Sequence, residues 1–124
     1  PTDLSAAIKQ VTKSTWGGYG GNKNSSDNTI IKTKDWLFLL ADGEVFGSDT
    51  SKRYTTSYSK VGLEGEQYEY YKEYEEKKLR FGSYQWLRSP SPNNTYSFAN
   101  WNNNGYVNYS IANYTRAVAL CFCI

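Results

Sequence analysis

A long segment without any formal charge is the feature that most limits what this chain can fold into. From Ser91 to Thr115 there is no Asp, Glu, Lys or Arg, and the residues are mainly Asn, Tyr, Ser and Thr. The pair Asn104-Gly105 is a strong signal for a tight hairpin turn, so we expect short antiparallel strands around it. Antibody combining sites have a similar composition, because Tyr provides rigid contact area and Asn and Ser provide adaptable hydrogen bonds. The segment predicts binding, since it has almost nothing with which to move a proton.

The remaining composition predicts one globular domain spanning residues 1–124. The chain is 39% hydrophobic and 17% aromatic, which is enough for a single core. Its 14 basic and 12 acidic residues form no cationic stripe, so we expect no nucleic-acid partner. No apolar run reaches membrane-spanning length, and we therefore expect no membrane insertion by this chain. The absence of His removes the commonest general base and metal ligand, so we expect no cofactor and no metal.

Apolar spacing predicts the elements of the first half of the chain. A short helix is predicted from Asp3 to Lys13, and a loop or wide hairpin connection follows from Ser14 to Lys34. The run WLFLL from Trp36 to Leu40 favours a strand buried on both faces, with a core helix turn as the alternative. The polar stretch from Ser48 to Ser59 predicts a loop. The apolar face of the first helix would consist of Leu4, Ala7, Ile8 and Val11.

A second, solvated helix is predicted from Glu66 to Arg80. Acidic residues precede basic ones at a spacing of four, as in Glu73 with Lys77 and Glu76 with Arg80. These carboxylates match no metal-loop spacing, and we assign them no site. The inner stripe of the helix would be formed by Tyr68, Tyr71 and Leu79.

Several short strands are predicted from Tyr84 to Ile124, closing with the apolar strand AVALCFCI from Ala117. Cys121 and Cys123 are interpreted as small buried hydrophobes of that strand, because a disulfide between residues two apart on a strand would be strained. The whole pattern predicts an α+β domain in which short helices pack on a small antiparallel sheet with long loops.

Five motifs in fixed order resemble a C-type-lectin-like family of gut bacteria and their phages. They are LFLL with EVFG, EGEQYEYY, WLRSP, Phe98 with Gly105, and the closing VALCFCI. Several members of that family are variable proteins of diversity-generating retroelements. The resemblance implies a C-type lectin-like fold and a missing upstream segment, since family members carry more sequence before the helix near Asp3. It also implies display on a phage tail or on a bacterial cell surface, or secretion.

Such retroelements rewrite adenines, so the resemblance implies that residues 91–116 form a variable, ligand-binding region. Template codons AAC or AAT randomised at their first two bases yield Asn, Tyr, Ser, Thr and several small or apolar residues, but never Lys, Glu, Gln, Met or Trp. Trp101 is therefore expected to be scaffold. The alternative is an Asn/Tyr-rich β segment that does not vary. The reachable positions, which we predict to contact ligand, are Asn93, Asn94, Thr95, Tyr96, Ser97, Asn100, Asn102, Asn103, Asn104, Tyr106, Asn108, Tyr109, Ser110, Asn113, Tyr114 and Thr115.

This scheme requires that scaffold and contact residues point in opposite directions. Polar and Tyr positions are expected to point outward, where substitution costs little folding free energy. The expected anchors are Tyr96, Tyr106, Tyr109 and Tyr114, because aromatic residues dominate interface energetics. The residues expected to pack inward are Phe98, Trp101, Val107, Ile111, Val118, Leu120 and Phe122.

The leading hypothesis is a non-enzymatic domain that recognises a protein or another cell-surface ligand, with a glycan as a further candidate. The alternative is a fixed carbohydrate-binding lectin or adhesin without calcium, since Ser91-Pro92-Asn93 and Trp101-Asn102-Asn103 lack the carboxylates that hold calcium. An enzyme hypothesis arises because formylglycine-generating oxidases share the fold and use a cysteine pair. Burial of Cys121 and Cys123 would disfavour thiolate chemistry, and we predict no catalytic residues.

Overall fold

Two antiparallel sheets and a few short helices make up the described part of the chain, which is residues 4–17, 28–49, 62–73, 84–92 and 94–124 of the computed structural model. Strands β1 and β2 form one sheet, and the other has the order β3-β4-β5. The predicted α+β class is confirmed. In chain order the elements are a 3₁₀ helix (Leu4–Ala7), β1 (Val11–Trp16), β2 (Ile30–Asp35), α1 (Asp42–Phe46), α2 (Glu69–Glu73), β3 (Gln85–Pro90), β4 (Ser97–Trp101) and β5 (Val107–Ile111).

The first helix is shorter than predicted. Only Leu4–Ala7 is helical, and the predicted second half is replaced by β1, which pairs with β2 from Val11 opposite Asp35 to Trp16 opposite Ile30. The β-branched residues Val11 and Thr12 explain the difference, because they pack well on a pleated strand and lose side-chain freedom in a helix. Both ends of the segment from Ser14 to Lys34 are strand, since they belong to β1 and β2. Residues 18–27 of the predicted connection lie outside the described residues.

The run from Trp36 to Leu40 is not a strand buried on both faces. Trp36 and Leu37 are exposed, whereas Phe38 and Leu40 are buried, and Phe38 makes a single antiparallel bridge to Cys121. The run leads into α1, in which every residue is buried. Helix α1 ends at Gly47, whose φ of 58° disfavours other residues and where an added Cβ would lie 2.6 Å from Gln67 Oε1.

The core lies between α1, α2 and one face of the three-stranded sheet. Trp101 is fully buried at its centre, with its ring edge-to-face with Phe46 at 5.6 Å and with Tyr71 at 5.4 Å. Aromatic pairs in this geometry add stabilisation beyond their buried area. The buried cluster consists of Phe38, Leu40, Val45, Phe46, Leu87, Ala99, Trp101 and Val107.

Helix α2 lies inside the predicted segment from Glu66 to Arg80 and covers Glu69–Glu73. Tyr71 packs against the core as predicted, whereas Tyr68 is exposed beside it. Residues 74–80 lie outside the described residues. They include Leu79 and the basic partners of both predicted ion pairs. Residues 50–59 of the predicted loop also lie outside the described residues.

The closing segment from Ala117 to Ile124 is not a buried strand. It makes only isolated bridges, from Ala117 to Gln85, Cys121 to Phe38 and Cys123 to Lys9. Cys121 is partly buried and Cys123 is exposed, so the interpretation as two buried residues is wrong for Cys123; neither cysteine forms a disulfide. The exposed apolar residues of this segment are Val118, Leu120, Phe122 and Ile124.

Candidate functional site

The uncharged segment forms β4, β5 and the turns around them, and the strand register divides its side chains between two faces. Trp101 opposite Val107 and Ala99 opposite Tyr109 lie on the face that packs on the core. Because side chains alternate along a strand, Phe98 lies on the opposite face, which we call the outer face. The pairing continues past the strands, since the Ala112 N–H donates to the Tyr96 carbonyl at 3.0 Å.

A chain crossing explains why much of the outer face is covered. Strand β5 is an edge strand, yet Ala117 pairs beside β3 on the far side of the sheet, with backbone bonds of 2.8 and 2.9 Å to Tyr84 and Trp86. Residues 112–116 must therefore pass over β4. Within these residues Ala112 and Asn113 form a turn, closed by the Tyr114 N–H donating to the Ile111 carbonyl at 3.0 Å, and Thr115 and Arg116 lead on to Ala117.

Arg116 fixes this crossing to the sheet. Its Nη2 donates to Ser110 Oγ at 3.2 Å, and its guanidinium lies 4.6 Å from the Tyr84 ring centre and 5.3 Å from that of Tyr114. Asn100 Nδ2 donates to the same Ser110 Oγ at 2.7 Å, and both Asn100 and Ser110 are buried. The cation on the aromatic rings thus covers a polar pair in the middle of the sheet.

Asn102 builds the hairpin turn. Its Oδ1 accepts hydrogen bonds from the backbone N–H groups of Asn104 and Tyr106, both at 3.0 Å. Gly105 has a φ of 80°, the left-handed conformation that the predicted Asn-Gly turn requires. The side chain is nearly fully buried, so it serves the turn and is not free to meet a ligand.

We expect Asn102→Ala to lower the free energy of unfolding by about 1–2 kcal/mol, because two backbone N–H groups of the turn lose their acceptor. Urea unfolding followed by tryptophan fluorescence measures the change. Asn103→Ala is the matched control, since the neighbouring Asn103 is exposed, and it should change stability by less than about 0.5 kcal/mol. Equal effects of the two substitutions would contradict the role assigned to Asn102.

The predicted contact residues separate by burial. The expectation that all of them point outward is wrong for Ser97, Asn100, Asn102 and Ser110, which are buried. Ser97 lies on the core face, Asn100 and Ser110 lie beside Arg116 on the outer face, and Asn102 is used in the turn. Asn94, Tyr106, Asn108 and Tyr109 are partly buried, with Tyr109 packed against the core. Asn93 lies outside the described residues. The exposed members are Thr95, Tyr96, Asn103, Asn104, Asn113, Tyr114 and Thr115.

The residues predicted to pack inward also divide into buried and exposed ones. Trp101 and Val107 are fully buried, as predicted. The inward orientation is wrong for Phe98, which lies on the outer face, and for Ile111, which lies at the end of β5. It is also wrong for Val118, Leu120 and Phe122 of the closing segment. Hydrophobic residue type alone did not distinguish core from surface here, because the sheet is small and its ends are open.

The exposed residues form two groups at opposite ends of the β4-β5 hairpin. Thr95 and Tyr96 precede β4, and Asn113 to Thr115 follow β5 at the same end of the hairpin, where the Ala112 N–H donates to the Tyr96 carbonyl. Asn103 and Asn104 lie at the turn, roughly 20 Å away along the strand. The first group, together with the neighbouring Phe98, is the aromatic surface that we treat as the candidate site.

A buried charge network that the sequence analysis missed holds β1, α1, β3 and residues 62–65 together. Arg88 donates to both carboxylate oxygens of Glu44, at 2.7 and 3.1 Å. It also donates to the carbonyls of Leu39 and Glu64 at 2.8 and 2.9 Å and of Ser14 at 3.0 and 3.2 Å. The Lys13 ammonium completes the pairing of Glu44.

The network carries the motifs on which the family resemblance rests. Glu44 belongs to EVFG, Glu64 to EGEQYEYY, and Arg88 with Ser89 to WLRSP. Ser89 donates to Glu64, and the Trp16 N–H donates to the same carboxylate at 2.9 Å. The sequence did contain a signal for a buried ion pair, namely a charged residue inside a short apolar motif. That signal does not identify the residue with which the charge pairs.

The two buried carboxyl groups titrate in opposite directions. Burial tends to raise the pKa of Glu44, but hydrogen bonds from Arg88 and Lys13 outweigh it and hold that pKa below its usual range. Burial raises the pKa of Glu64 to about 7, against hydrogen bonds from Ser89 and the Trp16 backbone. Among the described residues no cation donates a hydrogen bond to the Glu64 carboxylate, and Arg88, which bonds its backbone carbonyl, lowers the pKa less than burial raises it.

We expect stability to fall as the pH rises from about 4.5 to 8, and Glu64→Gln to remove that fall. Folded Glu64 binds its proton more tightly than unfolded Glu64, so its contribution is complete below pH 4.5 and is lost as the pH passes 7. This pKa difference changes the free energy of unfolding by at most about 3 kcal/mol. No imidazole titrates in this range, because the chain has no His.

Urea unfolding at pH 5, 6, 7 and 8 measures this dependence. Glu66→Gln is the control, because Glu66 is exposed two residues away and the variant should keep the slope of the wild type. A Glu64→Gln variant with the wild-type slope would show that Glu64 titrates normally.

The described residues contain no group of three or more His, Cys, Asp or Glu side chains placed to hold a metal ion. In the same residues, no helix has the length and apolarity needed to cross a membrane. The candidate site therefore offers aromatic rings, hydroxyls and amides around one arginine.

Comparison with known proteins gives a family and no close relative. No curated protein and no solved structure matches the chain. A family match covers residues 1–124, the whole of the sequence. The chain therefore belongs to the family described as Domain of unknown function (DUF6273).

Proposed function

We propose that this domain binds a ligand through the aromatic surface of its uncharged segment and performs no catalysis. The observation that carries the proposal is the exposure of Tyr96, Phe98 and Tyr114 in a segment without carboxylates or lysines. Exposed aromatic side chains with little polar competition are typical of binding hot spots. We further propose a C-type lectin-like fold for the domain and a retroelement as the source of variation in this segment.

The division between frame and surface supports this proposal. The network around Arg88 and the core around Trp101 are buried, so they can hold the sheet while exposed positions change. Substitutions at exposed positions away from caps and turns usually change stability by less than about 0.5 kcal/mol. Thr95, Tyr96 and Tyr114 are exposed, and where they lie in a turn it is their backbone groups that make the printed hydrogen bonds, whereas Asn100 and Asn102 are buried.

The ligand that fits this surface is a protein or glycan with apolar faces and neutral hydrogen-bonding groups. Tyr suits both kinds of group, because its ring packs against apolar faces and its hydroxyl forms hydrogen bonds, at a low cost in side-chain entropy. Arg116 beneath Tyr114 adds one cation at the margin. A fixed sugar-binding lectin is the second candidate, since exposed aromatic rings also offer the faces on which sugar rings stack.

A binding assay with the fluorescently labelled chain on intact gut bacterial cells tests the proposal. Tyr96→Ala and Tyr114→Ala should each weaken saturable binding about tenfold or more. Tyr70→Ala is the matched control, because Tyr70 on α2 is 51% exposed, compared with 58% for Tyr96 and 50% for Tyr114. Equal losses in all three variants, or no saturable binding to any cell, would contradict a role for this surface.

Treatment of the cells identifies the class of ligand. Protease treatment should abolish binding if the ligand is a protein, and glycosidase treatment should abolish it if the ligand is a glycan. Diversification is tested separately in the neighbouring DNA, where we expect a reverse transcriptase and a template repeat that differs at adenines. The differing codons should fall at exposed positions. A locus without either feature would overturn diversification and leave the binding proposal standing.

A further inference from the structure

The closing segment presents an unpaired strand edge. Three of its odd-numbered residues use their backbone groups, since Ala117 bonds to Tyr84 and Trp86, Cys121 bonds to Phe38, and Cys123 accepts from Lys9 at 2.8 Å. Among the described residues, none makes a hydrogen bond with the backbone of Val118, Leu120 or Phe122. Alternate peptide groups of an extended chain point to opposite edges, so these groups form a free edge.

The same residues expose an apolar face. Val118 is 60% exposed, Leu120 57%, Phe122 42% and Ile124 70%. Trp36 and Leu37 lie beside them, because the antiparallel bridge from Phe38 to Cys121 brings the two segments together. A cavity of about 270 Å³, lined by apolar side chains that include Phe38 and Phe122, opens at the same place.

This edge lacks the usual protection against pairing. Proteins commonly block an edge strand with Lys, Pro or an inward-pointing charge, and the stretch from Ala117 to Ile124 contains none of these. Each copy has six exposed apolar side chains here, four in the closing segment and two, Trp36 and Leu37, beside it. Complete burial of all of them in two copies, at roughly 100 Å² each, would remove about 1,200 Å² in total, which is the lower limit for specific stable interfaces. An antiparallel pairing of the segment with itself brings no like charges together.

We propose that two copies of this chain associate through residues 118–124, by antiparallel pairing of their free edges. The contact is isologous, so each copy supplies the same apolar face and the same unpaired backbone groups. This interface is separate from the aromatic surface around Tyr96, and the inference does not depend on the proposed function.

Sedimentation velocity of the 124-residue chain from about 1 to about 100 µM tests the inference. We expect a species of twice the 14.2 kDa of one chain, and the fraction of chains in that species should rise with protein concentration. Leu120→Lys should weaken association about tenfold or more, because it places a charge on the face without changing the core. Ile31→Lys is the control, since Ile31 is 53% exposed on β2, and the variant should associate like the wild type.

Hydrogen exchange distinguishes edge pairing from other association. The amides of Val118, Leu120 and Phe122 should become protected as the concentration rises, while the amide of Asn103 in the hairpin turn should not change. A wild-type chain that stays monomeric at about 100 µM would overturn the inference. So would a dimer that persists unchanged in Leu120→Lys.

Discussion

Arg88→Met is expected to lower the free energy of unfolding by about 3–5 kcal/mol, which is the cost of removing one partner of a buried ion pair. The carboxylate of Glu44 would keep only Lys13 as a charged partner, and three backbone carbonyls would lose a charged donor. Because domains of this size are stable by about 5–15 kcal/mol, this loss should be visible in any unfolding measurement. Arg88→Lys should recover little of this stability, since an ammonium cannot reproduce the bidentate contact of the guanidinium with the Glu44 carboxylate.

Urea unfolding and circular dichroism measure this effect. The matched control is Lys72→Met, which breaks the pair of Lys72 with Glu69 on the surface of α2. That pair is exposed, so its loss should cost less than about 1 kcal/mol. The role of the network would be refuted if both variants had the same stability, or if Arg88→Met were as stable as the wild type.

The hairpin of β4 and β5 was predictable because its signals are local. Asn104-Gly105 specifies a turn that needs a positive φ, and apolar residues on both sides specify the strands. Trp101 was recognised as scaffold for a separate reason, its exclusion from the set of reachable codons. The turn is set by its immediate neighbours in the chain, whereas the environment of Trp101 is set by Phe46 and Tyr71, which are distant in sequence.

The burial of Asn100 and Ser110 was not predictable in this way. It depends on residues 112–116 passing over β4, which follows from the pairing of Ala117 beside β3. No local pattern encodes that pairing. A polar residue on a strand is ordinarily assigned to the exposed face, and here a second layer of chain covers that face.

The charge network was hidden by separation in sequence. Arg88 is 44 residues from Glu44 and 74 residues from Ser14, and its acceptors are mostly backbone carbonyls that leave no trace in residue type. The prediction of a buried closing strand was wrong for the opposite reason, because the apolar composition of that segment resembles that of a core strand. Its alternate residues are instead left uncovered, which composition alone cannot indicate.

Trp101→Ala is expected to destabilise the domain by about 3–5 kcal/mol, as large-to-small changes at buried aromatic positions do. The indole is fully buried and packs edge-to-face on Phe46 and Tyr71, so its removal leaves a cavity between the sheet and both helices. Tyr96→Ala is the comparison, since Tyr96 is a large aromatic residue of the same segment and is exposed. It should change stability by less than about 0.5 kcal/mol.

The contrast between these two variants bears directly on the proposed function, because a diversified surface needs positions that change binding without changing stability. Thermal and urea unfolding of both variants, with the cell-binding assay on the same preparations, should place Tyr96→Ala at wild-type stability with weakened binding. Trp101→Ala should bind only in the fraction that stays folded. If Tyr96→Ala lost as much stability as Trp101→Ala, frame and surface would not be separable in this domain, and free variation of the segment would be physically untenable.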